Sequence, residues 1–211
     1  MIINAQFGVA KMLDLFRRKT LGLVLCSIGV TGCSGEKSTA SLQAENLDVA
    51  EGMIDAFYSF DPRRLQPFLE KASYPIQLSN LRYQGWAEGS NYRVVSRMPC
   101  VTESETEVSC SVIFKDDPSV VLEIDFDIME TFHLTFEDGD IKNAIMNSND
   151  QRSLFEARKW VGANMPQIFE GPCKNGGDER KVSASCARGM TQGYRQFMAA
   201  KAEQAESNSV L

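Results

Sequence analysis

The chain has 211 residues, with 22 basic and 28 acidic side chains, a single histidine and a net charge of −6. Its length suits one ordinary domain with its own hydrophobic core. The negative charge repels phosphate backbones and so disfavours nucleic acid as a partner. No stretch of the sequence approaches the roughly 20 consecutive apolar residues that a membrane-spanning helix requires.

The amino-terminal segment is built like an export signal. Basic residues 17–19 precede an apolar run at residues 21–30, which ends in small or polar residues before Cys33. A charged zone, a short apolar zone and a small-residue zone in this order are typical of a cleaved secretory signal. Met12 already precedes a complete charged zone, so it is an alternative start of translation.

Residues 30–33 read Val-Thr-Gly-Cys and resemble the lipobox of bacterial lipoproteins. The resemblance implies cleavage before Cys33 and attachment of acyl chains, palmitate among them, to that cysteine. The alternative is an ordinary cleaved signal with an incidental thiol. Ser34 stands where an aspartate usually retains Gram-negative lipoproteins at the inner membrane. The resemblance therefore implies a lipid anchor in the inner leaflet of the outer membrane, with the domain facing the periplasm.

Cleavage before Cys33 changes the charge of the chain. The 179 residues that remain carry 18 basic and 27 acidic side chains, a net charge of −9. Residues 33–46 comprise the lipidated cysteine and a polar segment whose only apolar residue is Leu42. This segment predicts a flexible tether, with a helix near its end as an alternative. Residues 47–206 are predicted to form a single α+β domain, and residues 207–211 a disordered tail.

The six cysteines divide by position. Cys26 leaves with the signal and Cys33 takes the lipid, which leaves four cysteines in a compartment where disulfides persist. Four cysteines allow three pairings. We predict disulfides between the partners closest in sequence, which are Cys100 with Cys110 and Cys173 with Cys186.

The first elements of the domain are predicted to be helices. Residues 47–60 place apolar side chains at the spacing of one helical face. Asp61 and Pro62 suit the start of a second helix, since Asp61 accepts from free N–H groups and proline fits a first turn. Pro67 should shorten or kink this helix, and residues 74–89 are predicted to be a loop with a short strand. The side chains expected to face inward are Ala50, Met53, Ile54, Phe57, Tyr58, Leu65, Phe68 and Leu69.

Residues 92–115 predict a β-hairpin. Apolar and polar residues alternate along its second arm, which is typical of a half-buried strand. If Cys100 faces Cys110, then Met98 faces Val112, and the disulfide and the apolar alternation agree on one register.

A long strand is predicted next, because apolar residues at even positions alternate with acidic and polar residues from Val120 to Phe136. Glu130 stands at an even position and breaks the pattern. We therefore predict a bulge or bend at residues 129–131.

Asp138 and Gly139 are a strong hairpin signal, and a last strand is predicted over residues 140–147. Two helices follow, over residues 150–164 and 187–205, with the second disulfide closing the loop between them and restricting the unfolded chain. The residues available to pack in this part are Ile141, Ile145, Leu154, Phe155, Ala157, Trp160, Val161, Met190, Tyr194, Phe197 and Met198.

This order of helices and antiparallel strands, closing on residues 132–141, resembles the nuclear transport factor 2-like superfamily, which includes the SnoaL-like and ketosteroid isomerase groups. The resemblance covers residues 47–147. It implies a curved antiparallel sheet wrapped round N-terminal helices in a cone, with additional C-terminal helices. It also implies a possible homodimer through the sheet. The superfamily contains both enzymes and binding or assembly modules, so the fold alone does not assign an activity.

The obvious acid–base candidates are predicted to face solvent. His133 shares a strand face with Thr131 and Thr135, opposite the apolar face, so we expect it outside the pocket and not catalytic. Asp125 and Asp127 share one strand face, which could bring two carboxylates together, but the same alternation favours a solvated face.

Tyr58, Trp86 and Tyr92 are the candidate pocket residues. No catalytic residue, metal or other cofactor is predicted. The cysteine spacings are not zinc-like, and residues 175–177 lack the strand-to-helix setting of a phosphate loop. We expect a lipid-anchored, non-enzymatic module that binds an apolar small molecule or another envelope protein. The alternative is an isomerase- or dehydratase-like enzyme with a carboxylate in the cone.

Overall fold

The computed structural model describes residues 38–149, 152–174 and 178–209. These residues belong to one compact unit, Lys37–Leu211. The predictions for the signal, the lipobox, Cys33 and the start of the tether lie outside the described residues, as do those for residues 175–177 and 210–211. Among the described residues, no helix has both the length and the apolar character that crossing a membrane requires.

The fold is α+β, as the sequence predicts. A curved, open antiparallel sheet in the order β1-β3-β4-β5, with β2 also pairing with β3, packs against the N-terminal helices, and further helices follow it at the C-terminal end. In chain order the elements are α1 (Thr39–Tyr58), α2 (Pro62–Leu69), α3 (Tyr74–Gly89), β1 (Arg93–Arg97), β2 (Val101–Thr102), β3 (Glu107–Lys115), α4 (Asp117–Val121), β4 (Ile128–Glu137), β5 (Asp140–Ser148), α5 (Arg152–Asn164), α6 (Pro166–Glu170) and α7 (Glu179–Ser209).

Helix α1 begins earlier than predicted. Ser38 caps it, with its side-chain oxygen accepting from the Ser41 backbone N–H over 3.3 Å. Residues 39–46 contain alanine, leucine, glutamine and glutamate, which form helices readily, and Asn46 is buried. The predicted tether is therefore helical from Thr39 onward.

Helix α2 follows its prediction. Asp61 Oδ1 accepts from the Arg63 backbone N–H over 3.0 Å, and Pro62 occupies the first turn. Leu65 and Leu69 are fully buried. The helix ends only two residues after Pro67.

The prediction for residues 74–89 is wrong, since they form α3. A Cβ atom on Gly85 would lie 2.3 Å from the Arg180 carbonyl oxygen, and one on Gly89 would lie 2.2 Å from the Ala184 carbonyl oxygen. Glycine therefore lets α3 and α7 approach with their backbones nearly in contact. The buried face of α3 has no apolar stripe, which is why the periodicity did not reveal it; it consists of Asn80, Gln84, Gly85, Ala87 and Gly89.

The β1–β3 hairpin is confirmed, but its predicted register is wrong. Val112 lies opposite Arg97 instead of Met98. Arg97 turns toward α1, where it forms ion pairs with Glu51 and Asp55. A paired arginine thus takes the inward position that the sequence assigned to methionine.

The first disulfide joins Cys100 to Cys110, with Cα atoms 4.3 Å apart. Cys100 lies beyond the end of β1, and a bulge interrupts that strand between Val94 and Ser96. The disulfide therefore does not fix the register of β1. The inward face of β3 is buried as predicted, through Val108, Cys110, Val112 and Phe114.

Residues 117–121 form the short helix α4, where the alternation predicts a strand. Asp116 Oδ1 accepts from the Ser119 backbone N–H over 2.8 Å, and the Ser119 hydroxyl oxygen accepts from the Asp116 N–H over 3.3 Å. Pro118 sits in the first turn. This capping box and the proline override the apolar alternation of the following residues.

Strand β4 contains no bulge at residues 129–131. It pairs in regular register with β3 from Ile128 to Thr135, and the irregularity falls between Thr135 and Phe136, in the pairing with β5. Glu130 does not break the alternation in the structure. It occupies the inward face and is 3% exposed.

The Asp138–Gly139 hairpin is confirmed. Both residues have positive φ, 55° and 81°, as a tight two-residue turn requires. On β5, Ile141 is buried as predicted, whereas Ile145 is 50% exposed and Ala144 takes the inward position. Because of the pairing irregularity near Phe136, Ile141 and Ile145 lie on opposite faces of the sheet.

The C-terminal helices bury a second apolar cluster. Ala157 and Val161 of α5 pack against Met190 and Tyr194 of α7 in this cluster, whereas Phe155 is 58% exposed and does not pack as predicted. The second disulfide links Cys173 to Cys186, with Cα atoms 4.3 Å apart.

Helix α7 is longer than predicted at both ends, beginning at Glu179 and continuing to Ser209. Asp178 starts it, accepting from the backbone N–H groups of Arg180 and Lys181. The unit Lys37–Leu211 holds the whole sheet, both apolar clusters and both disulfides. A chain of these residues therefore contains all that its fold requires.

Candidate ligand-binding cavity

A cavity of about 550 Å³ lies between the inward face of the sheet and helices α3, α5 and α7. The segment from Asp116 to Ile128, which contains α4, forms part of its wall. Elements from both ends of the domain therefore meet around one space, and its volume falls in the range of ordinary small-molecule sites.

The inner surface of the cavity is mostly aromatic and aliphatic. The Tyr92 and Phe114 rings stack with centroids 3.9 Å apart and planes at 14°. Trp86 of α3 and the fully buried Tyr194 of α7 add two more aromatic faces. Aliphatic and thioether contacts come from Ile124, Ile128, Met146 and Leu154.

Two buried carboxylates, those of Glu130 and Asp116, also line this mostly apolar surface. Tyr58 donates a hydrogen bond from its hydroxyl to Glu130 Oε2 over 2.9 Å, and Tyr92 donates to Oε1 over 3.3 Å. Burial raises the pKa of the Tyr58 phenol above its usual range, and the negative charge of Glu130 raises it further. Each carboxylate oxygen is thus held by a tyrosine hydroxyl, and the Tyr58 phenol stays protonated.

Two arginines and two aromatic side chains form the exposed rim of the cavity. Arg82 and Tyr83 come from α3, and Phe155 and Arg158 from α5. Tyr83 is 46% exposed and Phe155 58% exposed. Large exposed aromatics grouped on a surface often mark a binding site.

Two of the three predicted pocket residues, Trp86 and Tyr92, line the cavity. Tyr58 does not line it and instead borders a separate cleft with Asp55 and Arg97. Tyr58 still reaches the cavity indirectly, through its hydrogen bond to Glu130.

His133 is exposed on the outer face of the sheet, opposite Ile145 of β5. Asp125 and Asp127 are exposed in the irregular segment before β4. None of the three lines the cavity, which agrees with the expectation that they face solvent. Within the part of the chain that the structure describes, no three acidic, histidine or cysteine side chains are grouped to hold a metal ion.

Glu130 is not among the pocket residues predicted from the sequence. Its position shares the parity of Ile128 and Phe132, so the pattern already placed a carboxylate on the inward face. A charged residue at an inward position indicates a functional or specially partnered site. The charged residue at an inward position is visible in the sequence, but from the alternation alone it was interpreted as a bulge in the strand.

No family model, curated protein or solved structure matches this chain. The cavity is therefore the structural feature that bears most directly on function.

Proposed function

We propose that this chain is a lipid-anchored periplasmic protein whose domain binds a small, mainly apolar molecule without transforming it. The observation that carries the proposal is the cavity of about 550 Å³, walled by Trp86, Tyr92, Phe114 and Tyr194 and open at a rim of exposed side chains. Sites for small organic ligands are typically concave and apolar, with a few polar groups that fix orientation.

The partners of Glu130 favour binding over catalysis. A general base must bring a carboxylate oxygen within hydrogen-bonding reach of the proton that it removes. Both Glu130 oxygens accept from tyrosine hydroxyls, so neither oxygen is left without a partner inside the protein. Glu130 then orients Tyr58 and Tyr92 and keeps the aromatic wall in place.

The proposed location rests on residues 17–33, where the basic, apolar and small-residue zones lead to Val-Thr-Gly-Cys. Signal cleavage and acylation at Cys33 would hold the domain at the outer membrane. Several acyl chains together give stable anchoring, since each buried CH₂ contributes about 0.8 kcal/mol.

Binding in the cavity is tested with the neutral fluorophore N-phenyl-1-naphthylamine and a chain of residues 37–211. We expect fluorescence enhancement with a saturable isotherm. Ser183 lines the cavity from α7, so Ser183→Phe should fill part of it and weaken binding at least tenfold, whereas Ser183→Ala should bind as wild type does. Equal binding by Ser183→Phe and Ser183→Ala would place the fluorophore elsewhere and remove the proposal.

An isomerase- or dehydratase-like enzyme is the second candidate, favoured by one observation: the Glu130 carboxylate does line the cavity. Native mass spectrometry of the mature protein from membranes, followed by identification of any retained molecule, separates the two candidates. A retained molecule that wild type converts to a second species, and that Glu130→Gln leaves unconverted, would establish the enzyme. Identical molecules from both proteins support binding alone.

A further inference from the structure

The rim of the cavity carries a positive charge on an acidic protein. Arg158 of α5 lines the cavity and is exposed. Phe155 lies three residues earlier, on the same face of the helix, and is also exposed. Within the described residues, Arg158 forms no ion pair.

The remaining charged groups that line the cavity are Glu130, Arg82 and Asp116, and the protein already engages all three. Asp116 Oδ1 accepts from the Ser119 backbone N–H. The Glu130 oxygens accept from Tyr58 and Tyr92, so its charge is stabilised by hydrogen bonds. Arg82, at the same rim, interacts with other groups of the protein. Arg158 is therefore the charged group best placed to meet a ligand.

We infer that the cavity takes an amphipathic carboxylate, such as a fatty acid, with its apolar body among the aromatic walls and its carboxylate on the Arg158 guanidinium. This inference rests on the proposed binding function and names its ligand class. A guanidinium matches a carboxylate with two parallel hydrogen bonds. The net charge of −9 after cleavage repels anions at long range, so holding one requires a local cation of this kind.

The test is displacement of N-phenyl-1-naphthylamine from residues 37–211 by lauric acid, methyl laurate or dodecylamine. These share one chain length, differ in head group, and are used below their solubility limits and, for the ionic two, below their critical micelle concentrations. We expect lauric acid to compete best. Arg158→Gln should weaken lauric acid about fivefold, the upper range for an exposed ion pair, and leave methyl laurate unchanged. Arg158→Lys should restore most of the affinity.

Lys159→Gln is the matched control, because it removes an equal charge from the adjacent exposed position, which does not line the cavity. It should leave all three competitors unchanged. Equal competition by lauric acid and methyl laurate, stronger competition by dodecylamine, or an equal loss in Lys159→Gln would overturn the inference while the cavity function stands. Absence of fluorophore binding to the folded wild-type chain would instead remove the cavity function.

Discussion

The Glu130 side chain is held in place by hydrogen bonds that join three parts of the fold. It projects inward from β4, while Tyr58 comes from the end of α1 and Tyr92 from just before β1. A carboxylate that is 3% exposed is tolerated only where hydrogen bonds replace its lost hydration. The two phenols contribute to that replacement and connect α1 and the start of β1 to β4.

Removing one of these donors should destabilise the fold. We expect Tyr58→Phe to lower the free energy of unfolding by about 1–3 kcal/mol, the usual consequence of leaving a buried acceptor short of a partner. Urea denaturation followed by circular dichroism gives the value. Tyr83→Phe, which alters a phenol at the exposed rim, should change stability by less than about 0.5 kcal/mol. A Tyr58→Phe protein as stable as wild type would mean that the bond contributes nothing.

The same phenol predicts a pH dependence. The pKa of Tyr58 is raised in the folded state, chiefly by burial, so above its ordinary value of about 10 the unfolded chain loses a proton that the folded chain keeps. The stability linked to Tyr58 is therefore fully present below pH 10 and is lost as pH rises beyond it. Unfolding free energies measured above pH 10 should fall more steeply in wild type than in Tyr58→Phe. Parallel slopes in the two proteins would contradict the raised pKa.

At the scale of residues, the sequence correctly predicted which face of a strand a side chain occupies when that face follows the apolar alternation. The alternation placed His133, Asp125 and Asp127 toward solvent and placed the even-numbered apolar residues of β4 inward. Arg97 and Glu130 escaped prediction because each occupies an inward position through partners on α1 or beside β1. The partners named here are all 38 or more residues distant in sequence, and no local pattern identifies them.

At the scale of elements, the α3–α7 contact is set by two glycines. A Cβ on Gly89 would meet the Ala184 backbone at 2.2 Å, closer than any real Cβ contact. Neither backbone can move aside without shifting a whole helix, so the packing of these helices depends on the missing side chain.

We expect Gly89→Ala to lower the free energy of unfolding by about 1–3 kcal/mol through overpacking. The matched control is Gly162→Ala in α5, where a new Cβ would lie 3.8 Å from its nearest neighbour, in ordinary contact. Because alanine favours a helix over glycine, that variant should gain about 0.5–1 kcal/mol. Thermal unfolding of both proteins measures the difference, and a Gly89→Ala protein as stable as Gly162→Ala would disprove the close approach.

Elements with a conventional signal were predicted well: α2 by Asp61–Pro62, the last hairpin by Asp138–Gly139, and β3 by its alternation. Helix α3 was missed because its buried face is glycine, alanine and amide side chains, which carry little hydrophobic periodicity. Helix α4 was missed because its capping box lies inside a segment that alternates as a strand does. In α4 the hydrogen bonds of the capping box outweighed the apolar pattern, whereas in α3 there was no apolar pattern to indicate a helix.

At the scale of the whole molecule, the α+β class followed from the order of the predicted elements, and the curvature of the sheet was what the family resemblance implied. The cavity did not, because its walls come from segments between residues 79 and 194 and depend on how helices α5 and α7 fold back. The possible homodimer through the sheet stays a prediction, which light scattering on residues 37–211 would test.

Cellular location is also a property of the whole molecule, and a single change tests it. In the proposed lipoprotein, acylation requires the Cys33 thiol, so Cys33→Ser should leave the export signal uncut and produce the full-length precursor in place of a mature acylated chain. Intact-mass spectrometry of the membrane fraction distinguishes these species. Normal processing of Cys33→Ser would indicate an ordinary signal peptidase site and no lipid anchor.

The cavity walls come from α3, the sheet, α5 and α7, so any occupant contacts elements that are far apart in sequence and stabilises their folded arrangement. Global melting would have to release it, and its affinity then adds to the cost of unfolding as RT ln(1 + [L]/Kd). A compound library screened by rise in Tm would therefore reveal a true occupant whatever its chemical class.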